Sequence, residues 1–174
     1  MTEPEEPFDQ LMVGLDSPMV IVTTAAGGAR AGCLVGFHAQ CGMEPPRYAV
    51  WLSKANHTYR VGALADVFVV HFLVEGNRPL AELFGTLTGN EVDKFEQCAW
   101  SAGPEGVPLL EDCPNRIVGR RAAWLDSGAD HVCLMLDPIE ASHAGGSNWL
   151  TFREVMDLEA GHAAEERQRP HPDE

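Results

Sequence analysis

The stretch AGCLVGFHAQCGMEPPRYAVWL, residues 31–52, decides how the chain is read. An apolar run, Gly32 to Cys41, meets a turn at Pro45-Pro46, and a second run, Arg47 to Ser53, leaves it. Two extended runs joined by a proline turn read as neighbouring strands. The first run carries Phe37, His38, Gln40 and Cys41 where a plain core strand carries Val and Ile. That mixed face calls for a partner other than the interior alone.

Upstream, FDQLMVGL (Phe8 to Leu15) predicts a short helix, and the β-branched PMVIVTT (Pro18 to Thr24) predicts a strand. Gly27 and Gly28 then form the turn of a hairpin whose return strand is Gly32 to Cys41. Downstream, Asn56 is placed to cap a helix carrying Val61, Leu64 and Ala65. DVFVVHFLV is apolar almost throughout, so that strand is expected to be buried on both faces, with His71 satisfied inside. NRPLAELFGTLTG reads as a helix with Pro79 in its first turn, and NEVDKFEQC as a second, shorter one. Further strands are expected over Asn115–Asp126, in DHVCLMLDPIEASHA and at NWLTF. Six or seven short strands with a few inserted helices favour a mainly β, antiparallel barrel or sandwich over a doubly wound sheet.

The 174 residues suit one domain with a sizeable core, expected over 1–162, followed by a flexible polar tail, 163–174. Seventeen Gly and twelve Pro imply many turns. A net charge of −14 repels phosphate backbones, which argues against nucleic acid and anionic membranes as partners. An anionic ligand therefore needs local donors, of which Arg30, Lys54 and Arg60 are examples. Five cysteines without a C-x-x-C make neither a disulfide framework nor a zinc motif. His38 and Cys41, three apart in a strand, point to opposite faces, so no metal site is expected there. No Cys is paired locally with a base for nucleophilic catalysis. The acidic start MTEPEEPFDQ lacks a signal-peptide pattern and the longest apolar run is too short to span a bilayer, so the expected compartment is the cytoplasm.

The order of these pieces resembles the flavin reductase-like family, whose fold is an FMN-binding split β-barrel, an antiparallel barrel of Greek-key type. SPMVIVTT with GARAGC resembles its opening hairpin, and GFHAQCGMEPPRYAVWLS its strand, turn and next strand. NHT, FVVHFL, RPLAELFG, DKF, GVPLL and GADHV follow in matching order and spacing. The resemblance implies FMN as cofactor, with FAD as the alternative, and NADH or NADPH as hydride donor. It also implies a homodimer and a monooxygenase that receives reduced flavin. Where the family carries hydroxyl or amide side chains this chain has Gly36, Phe37 and His38, which leaves the flavin to backbone groups.

On that reading Val35, Gly36, Phe37, His38 and Ala39 lie along the flavin ring, with Phe37 or His38 as a flat surface. Ser53, Lys54, Asn56, His57 and Thr58 open a helix and take the phosphate. His131 faces the nicotinamide side or the open flavin face, where it donates a hydrogen bond or orients the incoming donor; hydride transfer asks no strong base of it. Asp93 and Lys94 have a plainer reading as solvent-side residues, with Phe95 in the core; that reading is favoured for Asp93, and a place near the flavin or a partner subunit stands as the alternative for Lys94. Two alternatives stand beside this one. The first is a carrier, sensor or electron-transfer protein of the same fold. The second is a barrel that binds haem or a deazaflavin through His38 or the basic loop.

Overall fold

The computed structural model describes residues 6–161, so the expected tail at 163–174 lies outside the described residues. The elements are α1 (Glu6–Leu15), β1 (Val20–Ala26), β2 (Ala29–Val35), β3 (His38–Met43), β4 (Pro46–Ser53), α2 (His57–Gly62) and β5 (Val67–Phe72). Then come α3 (Arg78–Thr86), β6 (Trp100–Ala102), β7 (Pro108–Leu110), β8 (Arg116–Asp126) and β9 (His131–Ser142).

Seven strands form one antiparallel sheet in the order β2-β1-β5-β8-β9-β4-β3, and β6 and β7 form a separate hairpin. The sheet curls round. Val22 of β1, Val35 of β2, Leu52 of β4, Val70 of β5 and Leu134 of β9 share one buried cluster, although β2 and β4 are not neighbours in the sheet. Burial of each such side chain contributes about 1.5–3 kcal/mol, so the interior of the curl is its main source of stability.

The barrel is split between its edge strands, β2 and β3. The expected single strand Gly32–Cys41 breaks at Gly36-Phe37, and the chain crosses there from one edge of the sheet to the other. The His38 ring reaches across the gap to Pro18 O, while Phe37 O accepts from Trp51 N at 2.9 Å and extends the β3–β4 ladder.

Outside β1 and β5 lies a second layer. Leu80 and Phe84 of α3 pack with Ile21, Leu73 and Phe95. The approach is close: a Cβ on Gly32 would lie 2.7 Å from the Phe84 ring, which accounts for glycine there. Strand β5 is buried on both faces, as its composition predicts, with Phe68 in the barrel and Val69 under Val107. His71 is fully buried between the layers. Its Nδ1–H donates to Ile21 O (3.2 Å), and its Nε2 accepts from Leu110 N (3.1 Å). Burial lowers its pKa to about 3.

Two expected elements differ. NEVDKFEQC is not a helix but a turn ending in a 3₁₀ segment, Lys94–Glu96, because Asp93 caps Phe95 N and Lys94 turns inward. NWLTF is not a strand; it makes only isolated bridges, Pro18 to Thr151 and Val74 to Trp149, before a 3₁₀ turn at Phe152–Val155. The hairpin of β6 and β7, three residues a side, is too short to announce itself in the sequence.

Candidate functional site

The alternation of a strand sorts the residues at the split. His38 pairs with Val50 on the barrel side, and Ala39 pairs with Ala49 on the outer side. Phe37 turns outward and is 61% exposed, with its ring 5.2 Å from that of His131. Ser53 pairs with His131 across β4 and β9, and Lys54 N donates to Asp130 O. Phe37, Ser53, Lys54 and His131, far apart in sequence, thus meet at one end of the split. His131 Nδ1 donates to Asp130 Oδ1 at 2.8 Å, which fixes the ring and leaves Nε2 as the other functional nitrogen. Lys54 is held by Asp126 at 2.7 Å.

His38 belongs elsewhere. Pro18 O can only accept, so Nε2–H donates to it at 2.6 Å, and Nδ1 takes the Tyr48 hydroxyl at 2.6 Å. Burial lowers its pKa. With both nitrogens engaged and the ring against Phe72, His38 closes the seam and offers no flat outer face. Neither nitrogen is open to a haem iron. Val35 is likewise buried in the core, so only its backbone faces a ligand, and Gly36 lies over the Met19 side chain.

The first turn of α2 stands beside the middle of β2. Asn56 occupies the cap position, but its side chain makes no capping bond. The Asn56 amide and the Thr58 hydroxyl instead meet the Cys33 thiol, whose pKa burial pushes up. His57 Nδ1 and Arg60 Nη1 converge on Asn90 Oδ1 at 3.1 and 3.3 Å. Sequence reasoning passed over Asn90, because a lone Asn in a turn carries no signal. Lys94 corrects its plainer reading: it is 5% exposed, and Nζ donates to Gly32 O and Phe84 O at 3.1 and 3.0 Å. Burial lowers its pKa. Asp93 is at the surface, paired with Arg30 at 3.1 Å. Among the described residues no group of three or more His, Cys, Asp or Glu could hold a metal ion.

Residues 12–165 match the family model described as flavin reductase like domain. The chain belongs to that family. Among curated flavin reductase-like relatives, it is 27% identical over 150 residues to FMN reductase (NADH) RutF 2 of Rhizobium rhizogenes, covering 86% of each chain. It is 24% identical over 140 residues to the reductase subunit HsaB of a flavin-dependent monooxygenase from Rhodococcus jostii, covering 80% of this chain and 61% of HsaB. A flavin reductase domain protein from an Arthrobacter species superposes with a TM-score of 0.76 at 21% identity, over 86% of this chain and 91% of that one. The flavin reductase-like fold is thus established by two kinds of comparison.

Proposed function

We propose that the chain is an NAD(P)H:flavin oxidoreductase that binds FMN at the split between β2 and β3. The observation that carries the reading is the outward-facing Phe37–His131 pair next to the start of α2, in a chain of this family. The residues fit the group. A flavin ring needs a flat slot with polar edge donors, and its phosphate needs N–H groups and positive charge. Phe37 supplies the flat wall, and backbone groups of Val35, Gly36 and Ala39 supply the edge. His57 and Arg60 stand where a phosphate would lie, with the backbone N–H groups of Asn56 and Thr58 beside them, since the Thr58 side chain is buried against Cys33; Ser53 and Lys54 lie at the approach. Arg60 bonds an amide rather than a carboxylate, so its charge is not cancelled.

When bound, flavin accepts a hydride at N5 from the nicotinamide. The chain's part is to hold the two rings in line. His131, fixed by Asp130, orients the donor from the open side; no proton need pass through it. Reduced flavin then serves a monooxygenase, as the likeness to HsaB suggests. The active form is a homodimer. Phe8, Leu11, Met12 and Leu15, spaced along one face of α1, and Leu125 on β8 are exposed apolar side chains that a second copy would cover. Five free thiols suit the reducing cytoplasm, and no described helix is long and apolar enough to cross a membrane.

The test is an anaerobic absorbance spectrum of the protein with FMN, before and after NADH and then NADPH. Enzyme-dependent loss of the flavin band supports the reading and names the donor. Perturbed flavin absorbance without bleaching would leave a flavin carrier and overturn the catalytic claim.

A further inference from the structure

The seam of the split holds a phenol–imidazole pair that the proposed flavin chemistry does not use. Tyr48 Oη lies 2.6 Å from His38 Nδ1, at the short end of the range for a hydroxyl donor. The roles in this bond are fixed from the far side of the ring. Nε2–H must donate to Pro18 O, also at 2.6 Å, so in the neutral imidazole Nδ1 carries the lone pair and the phenol donates. Phe72 stands edge-on to both rings, its centre 6.2 Å from that of His38 and 5.7 Å from that of Tyr48, and Trp149 lies edge-on beyond it.

A phenol bonded to a neutral base among aromatic rings suits one-electron chemistry. Burial pushes the Tyr48 hydroxyl up to about 12, so phenolate is scarce at neutral pH. Loss of an electron alone would leave a phenol cation where charge is poorly solvated. Loss of the electron together with the proton avoids that cation, provided that a base already lies within hydrogen-bond reach of the proton. His38 is such a base, and the proton need only cross the existing bond. The resulting imidazolium keeps Nε2–H on Pro18 O, now as a charge-assisted bond, and Nδ1–H donates back to the tyrosyl oxygen. The chain's net charge of −14 favours a cation there.

We propose that Tyr48 and His38 form a redox-active pair, in which Tyr48 gives one electron to a strong one-electron oxidant while its phenolic proton passes to His38 Nδ1. The oxidant is of the class of oxidising radicals, such as the carbonate radical, which becomes carbonate. The O–H bond breaks and an N–H bond forms; the products are a neutral tyrosyl radical and an imidazolium. A one-electron donor such as ascorbate reverses both transfers. An oxidising equivalent that reaches the seam is thus held there reversibly.

The pair works without flavin, so the test uses the full chain alone and its outcome is independent of the flavin site. Photogenerated ruthenium(III) tris(bipyridine) serves as the oxidant, and transient absorption with electron paramagnetic resonance reads the radical. The wild type is expected to give a neutral tyrosyl radical, and Tyr48→Phe to lose most of it. His38→Gln keeps a donor for Pro18 O but offers the phenol no base, and should slow radical formation about a hundredfold, the usual contribution of a positioned base. Formation in the wild type should also be slower in heavy water. A role in packing alone would not produce that isotope effect, and the readout stands if His38→Gln fails to fold. A wild type that forms no tyrosyl radical, or a rate indifferent to heavy water, would overturn the proposal. So would a radical that survives Tyr48→Phe, which would place it on Tyr59, the other tyrosine. An unchanged rate in a folded His38→Gln would overturn it as well.

Discussion

Phe37 separates a packing role from a ligand role. Its ring is mostly exposed, so Phe37→Asp should change the melting temperature little, within the roughly 0.5 kcal/mol usual for surface changes. FMN affinity, read by fluorescence quenching, should fall about tenfold or more. Loss of folding instead would make Phe37 a core residue. His71 makes the opposite case. A free histidine takes a proton near pH 6.5, but in the fold His71 resists protonation until about 3. The unfolded chain therefore binds a proton that the folded chain refuses. Stability should fall as pH drops from about 6.5 towards 3, by up to about 1.4 kcal/mol per unit. His71→Gln should be less stable at pH 7 yet lose less on acidification, as urea midpoints across that range would show. The burial of His71 was legible, since it sits in an apolar run. The direction of His38 was not: a one-residue shift in strand phase reverses the face, and the break at Gly36-Phe37 resets that phase.

At the scale of elements, the turn at 88–93 is held to the barrel by Lys94 more than by any helix of its own. The ammonium bonds two backbone carbonyls, one on β2 and one on α3. Lys94→Met fills much the same space but leaves both carbonyls without that partner. The expected cost is about 1–3 kcal/mol in urea unfolding, and an unchanged midpoint would show the bonds to be dispensable. This anchor could not be read from DKF alone, because lysine is ordinarily a surface residue and its burial depends on carbonyls 10 and 62 positions away. The strands were easier. β1, β4, β5, β8 and β9 announce themselves by β-branched or alternating patterns that local chemistry imposes. NWLTF has the same composition but no sheet edge beside it to complete a ladder, and it makes only bridges.

For the whole molecule, the order of motifs was enough to place the chain in its family, while the meeting of Phe37, Ser53, Lys54 and His131 at one end of the split needed the fold. The homodimer is tested by sedimentation: twice the chain mass at micromolar concentration is expected. Leu11→Glu and Leu125→Asp should shift that equilibrium towards monomer; a wild type that stays monomeric would remove the assembly from the reading. One further consequence follows from how the thiols are housed. Cys33 and Cys113 are buried, Cys98 and Cys133 partly so, and burial pushes all four pKa values up. Cys41 is exposed on β3, a short way along the strand from the split. A brief maleimide pulse at neutral pH should therefore add one label per chain, countable by intact mass. The protein carries a ready attachment point for a fluorophore beside the cleft proposed for its ligand, with no engineering needed to watch that ligand arrive.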